Sequence, residues 1–210
     1  MTDSQSLTFY IIYLEVTMKN ESTKHEKIVQ AAVEVIRDKG FEKTSVSQIV
    51  KHAGVAQGTF YLYFQSKNEL VPAIAETILK EQLTRMKETY STKPLILEEL
   101  LQSLVDVSYD LTKEYKKLIT FIYSGMAFYH SFETWDNIYK PYYEWLEVQF
   151  KELRSKSLLT DKGSIPYLAN FTVGLVEHGA ESFYLSHASA GDPNRSKKEL
   201  VEFLTKALSN

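Results

Sequence analysis

Two short helical segments joined by a glycine turn occupy residues 44–64, and no other part of the sequence restricts the fold as strongly. Ser45 and Gln48 have capping-box spacing, in which each side chain bonds the backbone of the other, so a helix is expected to begin at Ser45. Gly54 supplies the turn, because glycine adopts a positive φ without steric cost. A second helix follows over 57–64. The arrangement predicts a helix-turn-helix, a motif that places its second helix in the major groove of DNA.

The rest of the chain has helical periodicity, without the alternation that predicts a strand. In the first helix, for example, Ile28, Ala32, Val35 and Ile36 share one face. The sequence therefore predicts an all-α protein of about nine helices. The predicted segments are 25–39, 45–53, 57–64, 66–90, 95–111, 115–130, 133–157, 166–187 and 196–208.

One predicted helix contains a proline close to its start. Ser66 and Glu69 have capping-box spacing, so this helix is expected to begin at Ser66 and to reach about Tyr90. Pro72 would then lie about six residues inside it, where proline removes a backbone hydrogen bond and bends the axis. We expect such a bend where the helix-turn-helix joins the remainder of the chain.

Charge is distributed unevenly along the chain, whose formal net charge is −3. Residues 18–67 hold 8 Lys and Arg against 5 Asp and Glu, whereas residues 68–210 hold 16 against 20. A mildly basic N-terminal part favours contact with the phosphates of a nucleic acid. The absence of cysteine excludes disulfides and thiolate metal sites, and it fits a reducing cytoplasm.

The first 17 residues do not fit the helical plan. Residues 7–16 form an apolar run that is too short to span a bilayer and lacks the flanking residues of a signal peptide. Met18 is followed by a polar lead into the first helix. We expect Met18 to be the natural start and 1–17 to be a non-native or disordered extension; the alternative is a disordered or strand-like tail of the native chain.

The residues around the second helix of the motif have the chemistry that DNA recognition needs. Gly58 lets the helix approach the groove wall closely, while Gln57 and Thr59 can hydrogen-bond base edges or phosphates. Phe60 and Phe64 are expected to be core, together with Ile49 and Val55. The predicted DNA contacts are Thr44, Ser45, Gln57, Gly58, Thr59, Tyr61, Leu62, Tyr63 and Lys67.

The segment 25–76 resembles the N-terminal domain of the TetR family of transcriptional regulators. The residues that carry the resemblance are Thr44, Ser45, Val46, Ile49, Ala53, Gly54, Val55, Gly58, Thr59, Tyr61, Tyr63, Phe64, Lys67 and Leu70. The remainder of the chain matches the family only in length and helical content.

The resemblance implies an all-α homodimer with a DNA-binding head of three helices and a larger helical body that holds an inducer pocket. Most members of the family repress transcription until a ligand moves the heads apart. It implies a DNA-binding domain over 18–70 and an effector-binding and dimerisation domain over 71–210. The operator of such a dimer is expected to be a near-palindrome.

The body is rich in aromatic residues, which line small-molecule pockets but more often form plain core. Few acidic residues fall inside the aromatic run, so an apolar or aromatic effector is favoured over a cation. The candidate ligand contacts are Met126, Trp135, Tyr139, Tyr142, Phe171 and His178.

Two C-terminal helices, at about 164–187 and 196–208, are the predicted dimer interface. The first contains small residues such as Gly174, Gly179 and Ala180, which allow two helices to approach closely. The alternative is that this helix packs only within its own body.

No residue pattern predicts a catalytic site, a metal site or a cofactor. The five histidines are scattered, and no nucleophile motif or nucleotide-binding loop is present. Together with the resemblance to the TetR family, this favours a cytoplasmic, ligand-responsive transcriptional repressor that is not an enzyme. The alternatives are a regulator that answers to a protein partner or acts as an activator, and a helical enzyme or adaptor that does not bind DNA.

Overall fold

The structure is a computed structural model that describes residues 23–126, 132–186 and 191–209. Within these ranges it holds nine α-helices and no β-strand, which confirms the predicted fold class. A 3₁₀ helix (Lys67–Glu69) precedes the fourth α-helix. The α-helices are α1 (23–39), α2 (Val46–Ala53), α3 (Gln57–Tyr61), α4 (Leu70–Ser91), α5 (Leu97–Glu114), α6 (Lys116–Met126), α7 (Phe132–Ser155), α8 (Ile165–Leu185) and α9 (Pro193–Leu208). The proposed extension at 1–17 lies outside the described residues.

The chain divides after Ile74, within α4, into two compact units. We call them the head, described from residue 23 to Ile74, and the body, from Ala75 onward. The core of the head includes Ile49, Phe60 and Phe64, which are 0%, 0% and 5% exposed, as predicted. Val55, also predicted as core, is only partly buried.

The capping box and the glycine turn of the helix-turn-helix are both present. The Ser45 hydroxyl accepts a hydrogen bond from the Gln48 N–H at 3.2 Å, and the Gln48 side chain accepts one from the Ser45 N–H at 2.9 Å. Gly54 has a φ of +67°, a conformation that strains any other L-residue. The Val55 N–H then bonds the Val50 carbonyl at 3.0 Å, which sets the start of the next segment. These short-range bonds explain why this sequence folds locally into a helix, a turn and a second helix.

Two predictions about the following segment were wrong. Ser66 accepts no capping bond; Glu69 instead accepts a hydrogen bond from the Gln65 N–H at 2.7 Å. The α-helix starts only at Leu70, so Pro72 is its third residue. The N–H groups of a first turn have no partner within their own helix, so proline removes no bond from the interior of α4. The basis for expecting a bend at Pro72 is therefore lost.

Several helix boundaries also differ from the predicted ones. Helix α3 ends at Tyr61 rather than at 64. Helix α7 ends at Ser155 rather than at 157 and contains Pro141. Helix α9 begins at Pro193, because the Asp192 side chain caps it by accepting a hydrogen bond from the Asn194 N–H at 3.0 Å.

The body is organised around α5 and α8, which contact each other and also contact α6 and α9, while α7 packs on α8. Tyr109, Tyr142 and Phe150 are its largest fully buried side chains. At Gly179 an added Cβ would lie 2.8 Å from Leu200 and 3.3 Å from the Tyr109 hydroxyl, so glycine permits a close approach between helices of the same body. Gly174, in contrast, faces open space. Among the described helices, none combines the length and apolar character needed to cross a bilayer.

Candidate DNA interface and effector cavity

The head presents an exposed face at α3. Gln57 and Gly58 are exposed, and a Cβ added at Gly58 would meet no atom within 4 Å. Tyr61 is 52% exposed and Leu62 79%, although Phe60 between Gly58 and Tyr61 is fully buried. The face thus combines the amide of Gln57, the uncovered backbone at Gly58, the phenol of Tyr61 and the aliphatic side chain of Leu62. The apolar core of the head, which includes Phe60, lies beneath it. Such a mixture suits the polar edges and thymine methyl groups of a DNA groove.

The other predicted residues of α3 and its C-terminal side are less accessible. Thr59 and Tyr63 are partly buried. The Tyr63 ring lies edge-on to the His25 ring at 5.6 Å, and His25 in turn stacks on Phe64 at 5.1 Å. These ring contacts attach the end of α3 to α1, so Tyr63 supports the exposed face as well as bordering it.

The structure does not bring Thr44 to the surface with the other predicted contacts. Thr44 is 3% exposed, and its hydroxyl donates to the Gly40 carbonyl at 2.8 Å. Its own N–H bonds the Phe41 carbonyl at 3.1 Å. Ser45 is exposed at the N-terminus of α2, where free N–H groups and the helix dipole favour an anion such as a phosphate.

Lys67 holds parts of the head together. Its ammonium donates to the carbonyls of Phe41 and Thr44, each at 2.7 Å, and lies 3.8 Å from the centre of the Phe41 ring. Burial lowers the pKa of Lys67 from its ordinary value, and the charge of Glu42 opposes that shift. Two of its three donors are therefore used inside the head.

The body contains a partly open cavity of about 160 Å³ that is lined by five helices. Its size is close to that of an apolar cavity of about 150 Å³ known to accept benzene. Most of the wall is aliphatic or aromatic, with a few polar groups, which is the usual composition of a small-molecule site. The lining residues are Ala75, Ile78, Leu79 and Gln82 from α4; Ser108, Leu111 and Thr112 from α5; Ile119, Ile122 and Tyr123 from α6; Trp135 and Tyr139 from α7; and Glu177 and Glu181 from α8.

Two carboxyl groups in this wall each accept a hydrogen bond from a tyrosine on another helix. The Tyr139 hydroxyl donates to Glu177 at 2.8 Å, and the Tyr123 hydroxyl donates to Glu181. On the opposite side of α8, in contrast, the side chains are exposed. The two tyrosines therefore fix carboxyl groups that face the cavity.

Burial changes the protonation of these acids. Burial raises the pKa of Glu177 to about 8; the hydrogen bond from Tyr139 opposes this shift, and the neighbouring charge of Glu181 adds to it. Burial also raises the pKa of Glu181, against the hydrogen bond from Tyr123 and the charge of His178. The pKa of Tyr139 is raised well above its ordinary value, first by burial and then by the charge of Glu177.

The structure places two of the six predicted ligand residues, Trp135 and Tyr139, in the cavity wall. Tyr142 is 1% exposed and belongs to the core rather than to the lining. Phe171 is 60% exposed and stacks on Tyr167, away from the cavity, and it lines a shallow outer groove beside α7. His178 is exposed and lies 3.3 Å from the Ser182 hydroxyl. Met126 ends α6, and its side chain is not among those described.

The candidate ligand contacts from the sequence did not include four hydrogen-bonding residues of the cavity wall: Gln82, Tyr123, Glu177 and Glu181. The Gln82 side chain donates to the Ser108 hydroxyl at 3.1 Å within the same wall. An effector without a positive charge was favoured because the aromatic run contains few acidic residues. The carboxyl groups of the cavity, however, belong to Glu177 and Glu181 of α8, which lies outside that run. Their spacing of four residues was the available signal, because it places them on one face of a helix.

Comparisons with known proteins agree with both parts of this structure. Residues 28–74 match the model of bacterial regulatory proteins of the tetR family, and residues 101–208 match the tetracyclin repressor-like C-terminal domain. The HTH-type transcriptional regulator YvdT of Bacillus subtilis is 42% identical over 196 residues, which cover 90% of this chain and 97% of YvdT. The fatty acid metabolism regulator protein of Bacillus subtilis is 39% identical over 83 residues, which cover 40% of this chain and 43% of that protein.

Among solved structures, the transcriptional regulator FadR from Bacillus subtilis in complex with stearoyl-CoA has a TM-score of 0.66 at 22% identity, covering 86% of this chain and 97% of FadR. At that identity the likeness concerns the fold alone. A helix-turn-helix with an exposed second helix, followed by a helical body with a cavity, defines a ligand-responsive DNA-binding transcriptional regulator. The chain belongs to the TetR family.

Proposed function

We propose that this regulator is a repressor that binds a near-palindromic operator as a homodimer and leaves it when a small effector enters the body cavity. The observation that carries the proposal is the exposed face of α3, where Gln57, Gly58, Tyr61 and Leu62 stand outward over a buried Phe60. Leu62 and the neighbouring Tyr61 are 79% and 52% exposed, so this face offers an aliphatic and an aromatic group side by side to a partner.

In this proposal residues 18–70 bind DNA and residues 71–210 bind the effector and form the dimer. Gln57, Tyr61 and Leu62 meet base edges, while the open space at Gly58 admits the groove wall. The phosphates of the DNA backbone are bound by Ser45 at the start of α2 and by the third N–H donor of Lys67. Thr59 and Tyr63, at the edge of the exposed face, also contact phosphates. Thr44 contributes by positioning Ser45 rather than through its buried hydroxyl. The regulator acts in the cytoplasm, where its DNA is.

The dimer proposal rests on exposed apolar side chains of α8 and α9. Tyr167, Phe171 and Leu175 are 68%, 60% and 41% exposed and recur every four residues along one face of α8, with Gly174 on the same side. Phe203 on α9 is 58% exposed. Exposed apolar side chains of this kind suit an isologous interface between two copies. The predicted interface over 164–187 and 196–208 therefore keeps its support, although Gly179 and Ala180 pack inside the body.

Phe171→Glu tests the dimer. We expect the variant to sediment as a monomer at concentrations where the wild type sediments as a dimer, because burial of a carboxylate in an apolar interface is unfavourable. Glu88→Gln, an exposed change on α4 outside the proposed interface, is the control. A wild-type monomer, or an unchanged dimer in Phe171→Glu, would contradict this interface.

The effector proposal rests on the cavity, whose wall is mainly apolar and aromatic, so the effector has an apolar or aromatic body. It gains support from FadR, a protein of the same fold that was solved with stearoyl-CoA.

Selection of bound sequences from random duplex DNA, with the full chain as bait, tests the DNA-binding part of the proposal. Enrichment of a near-palindrome with half-sites about one helical turn or more apart is the expected result. Binding to the enriched duplex should weaken steeply as salt concentration rises. Failure to enrich any sequence would overturn the proposal.

A further inference from the structure

The carboxyl groups in the wall of the effector cavity are not matched by basic groups. Glu177 and Glu181 stand in its wall, and among the described residues that line it none is Lys, Arg or His. An anionic ligand, such as a carboxylate or phosphate, would bring its charge beside two carboxyl groups with no cation in the same wall to balance it. The cavity is therefore chemically suited to the opposite charge.

The two acids are arranged to act on one ligand group. They are one turn apart on α8, so their Cβ atoms are about 5–6 Å apart. Tyr139 and Tyr123, from α7 and α6, each donate a hydroxyl to one of them. A carboxylate accepts more than one hydrogen bond, so each acid keeps acceptor capacity for a ligand that donates.

The remaining wall suits the body of an organic ligand. Trp135 and Tyr139 provide aromatic faces, which attract cations as well as apolar groups. Ile78, Leu111 and Ile122 add aliphatic surface. The volume of about 160 Å³ has room for a ring-sized group.

We propose that the effector is a monovalent organic cation with a ring-sized apolar body, whose ammonium group binds between Glu177 and Glu181 while its body packs against Trp135 and the aliphatic wall. This proposal rests on the proposed function, because it takes the cavity to be the effector site. It replaces the preference for an uncharged effector that the aromatic run alone suggested.

Calorimetric titration of the full chain with three probes of similar shape tests the charge preference. The probes are 2-phenylethylamine, 2-phenylethanol and 3-phenylpropanoate, which are cationic, neutral and anionic at pH 7. The amine is expected to bind about ten-fold or more tightly than the alcohol, and the carboxylate weakest, since two acids face the ligand. Equal binding of amine and alcohol, tighter binding of the carboxylate, or no binding of the amine would overturn the proposal.

Matched variants locate the effect. Glu177→Gln and Glu181→Gln should each weaken binding of the amine about ten-fold while leaving that of the alcohol unchanged. Glu88→Gln, an exposed change on α4 of the same body, should leave both unchanged. Thermal melting followed by circular dichroism shows that each variant is folded. Amine binding that is the same in Glu177→Gln and in the wild type would also overturn the proposal.

Duplex binding separates the failure of this proposal from that of the proposed function. Release of the selected duplex by the amine, but not by the carboxylate, would support both. A chain that binds the amine through Glu177 but enriches no duplex would overturn the proposed function and keep the cation site. A chain that binds its duplex and releases it only with stearoyl-CoA would keep the repressor and overturn the cation site.

Discussion

The head and the body place their polar side chains in opposite ways. In the head, Gln57 and Tyr61 stand in water over a closed apolar core, so the surface can meet a large polyanion without opening the fold. In the body, Glu177 and Glu181 turn inward and are held by tyrosines in a mainly apolar cavity. In the proposed function the exposed side chains of the head recognise DNA by shape and hydrogen bonds, whereas the cavity of the body selects an effector by charge and size.

The largest expected effect concerns the open space at Gly58. Gly58→Leu should weaken binding to the selected duplex by about 100-fold, or about 2.8 kcal/mol, because its side chain occupies the space that the groove wall needs. Stability should not fall, since nothing in the head lies within 4 Å of an added Cβ. Fluorescence anisotropy with labelled duplex and urea unfolding measure the two quantities.

Gly58→Ala is the graded control, with a smaller loss of affinity. Unchanged duplex affinity in Gly58→Leu would mean that this face of α3 does not approach DNA, and the contrast between head and body would lose its basis.

The second effect concerns the buried acid of the body. The pKa of Glu177 is raised to about 8 in the folded state, so this group costs stability as pH rises from its ordinary value of 4.5 towards 8, and the cost is absent below 4.5. The groups facing it are Tyr139, Glu181 and Gln82. Glu177→Gln should therefore stabilise the protein at pH 8.5 by about 2 kcal/mol and have little effect at pH 4.5.

Urea unfolding at the two pH values measures this difference, with exposed Glu88→Gln as the control. If Glu177→Gln destabilised the protein equally at both pH values, the carboxyl would be a structural hydrogen-bond acceptor rather than a buried charge awaiting a partner.

The third effect distinguishes a structural role of Lys67 in the head from a role in contacting DNA. Lys67→Met should lower the free energy of unfolding by about 1.5 kcal/mol, because the hydrogen bonds from the ammonium to the carbonyls of Phe41 and Thr44 are lost. Lys43→Met, an exposed change in the loop that contains Phe41 and Thr44, should leave stability unchanged.

The salt dependence of duplex binding gives the second readout for Lys67. If this side chain served only a phosphate, Lys67→Met would keep full stability and reduce the slope of log affinity against log salt by about one. That outcome would mean that Lys67 acts by contacting DNA and not by stabilising the head through internal hydrogen bonds.

The smallest effect is expected at Leu62. Leu62→Ala should weaken binding to the selected duplex by about five-fold, or about 1 kcal/mol, through loss of contact with a base methyl group. Its stability should equal that of the wild type, since the side chain is 79% exposed. A loss of stability without a loss of affinity would show that Leu62 packs on another part of the protein.

The features that could be predicted from the sequence are those set by neighbouring residues. The capping box of Ser45 and Gln48 and the positive φ of Gly54 depend on contacts within four residues, and both are present. At Ser66 the same reasoning failed because two local bonds compete: Glu69 accepts from the Gln65 N–H instead of completing a capping box.

The cavity could be predicted only in part, because residues far apart in the chain form its wall. Tyr123 and Glu181 are 58 positions apart and meet only when α6 packs beside α8. Phe171 and Glu177 lie on the same helix, yet one is exposed and the other lines the cavity. Both faces of α8 carry apolar residues, so the pattern alone does not tell which face is inside.

Amide hydrogen exchange of the full chain, with and without the selected duplex, tests the central contrast most directly. We expect DNA to slow exchange most in the head, over residues 45–67, and much less in the cavity helices of the body. Slower exchange throughout the body with an unchanged α3 would contradict this expectation, because DNA would then be bound by the part of the molecule whose polar groups face inward.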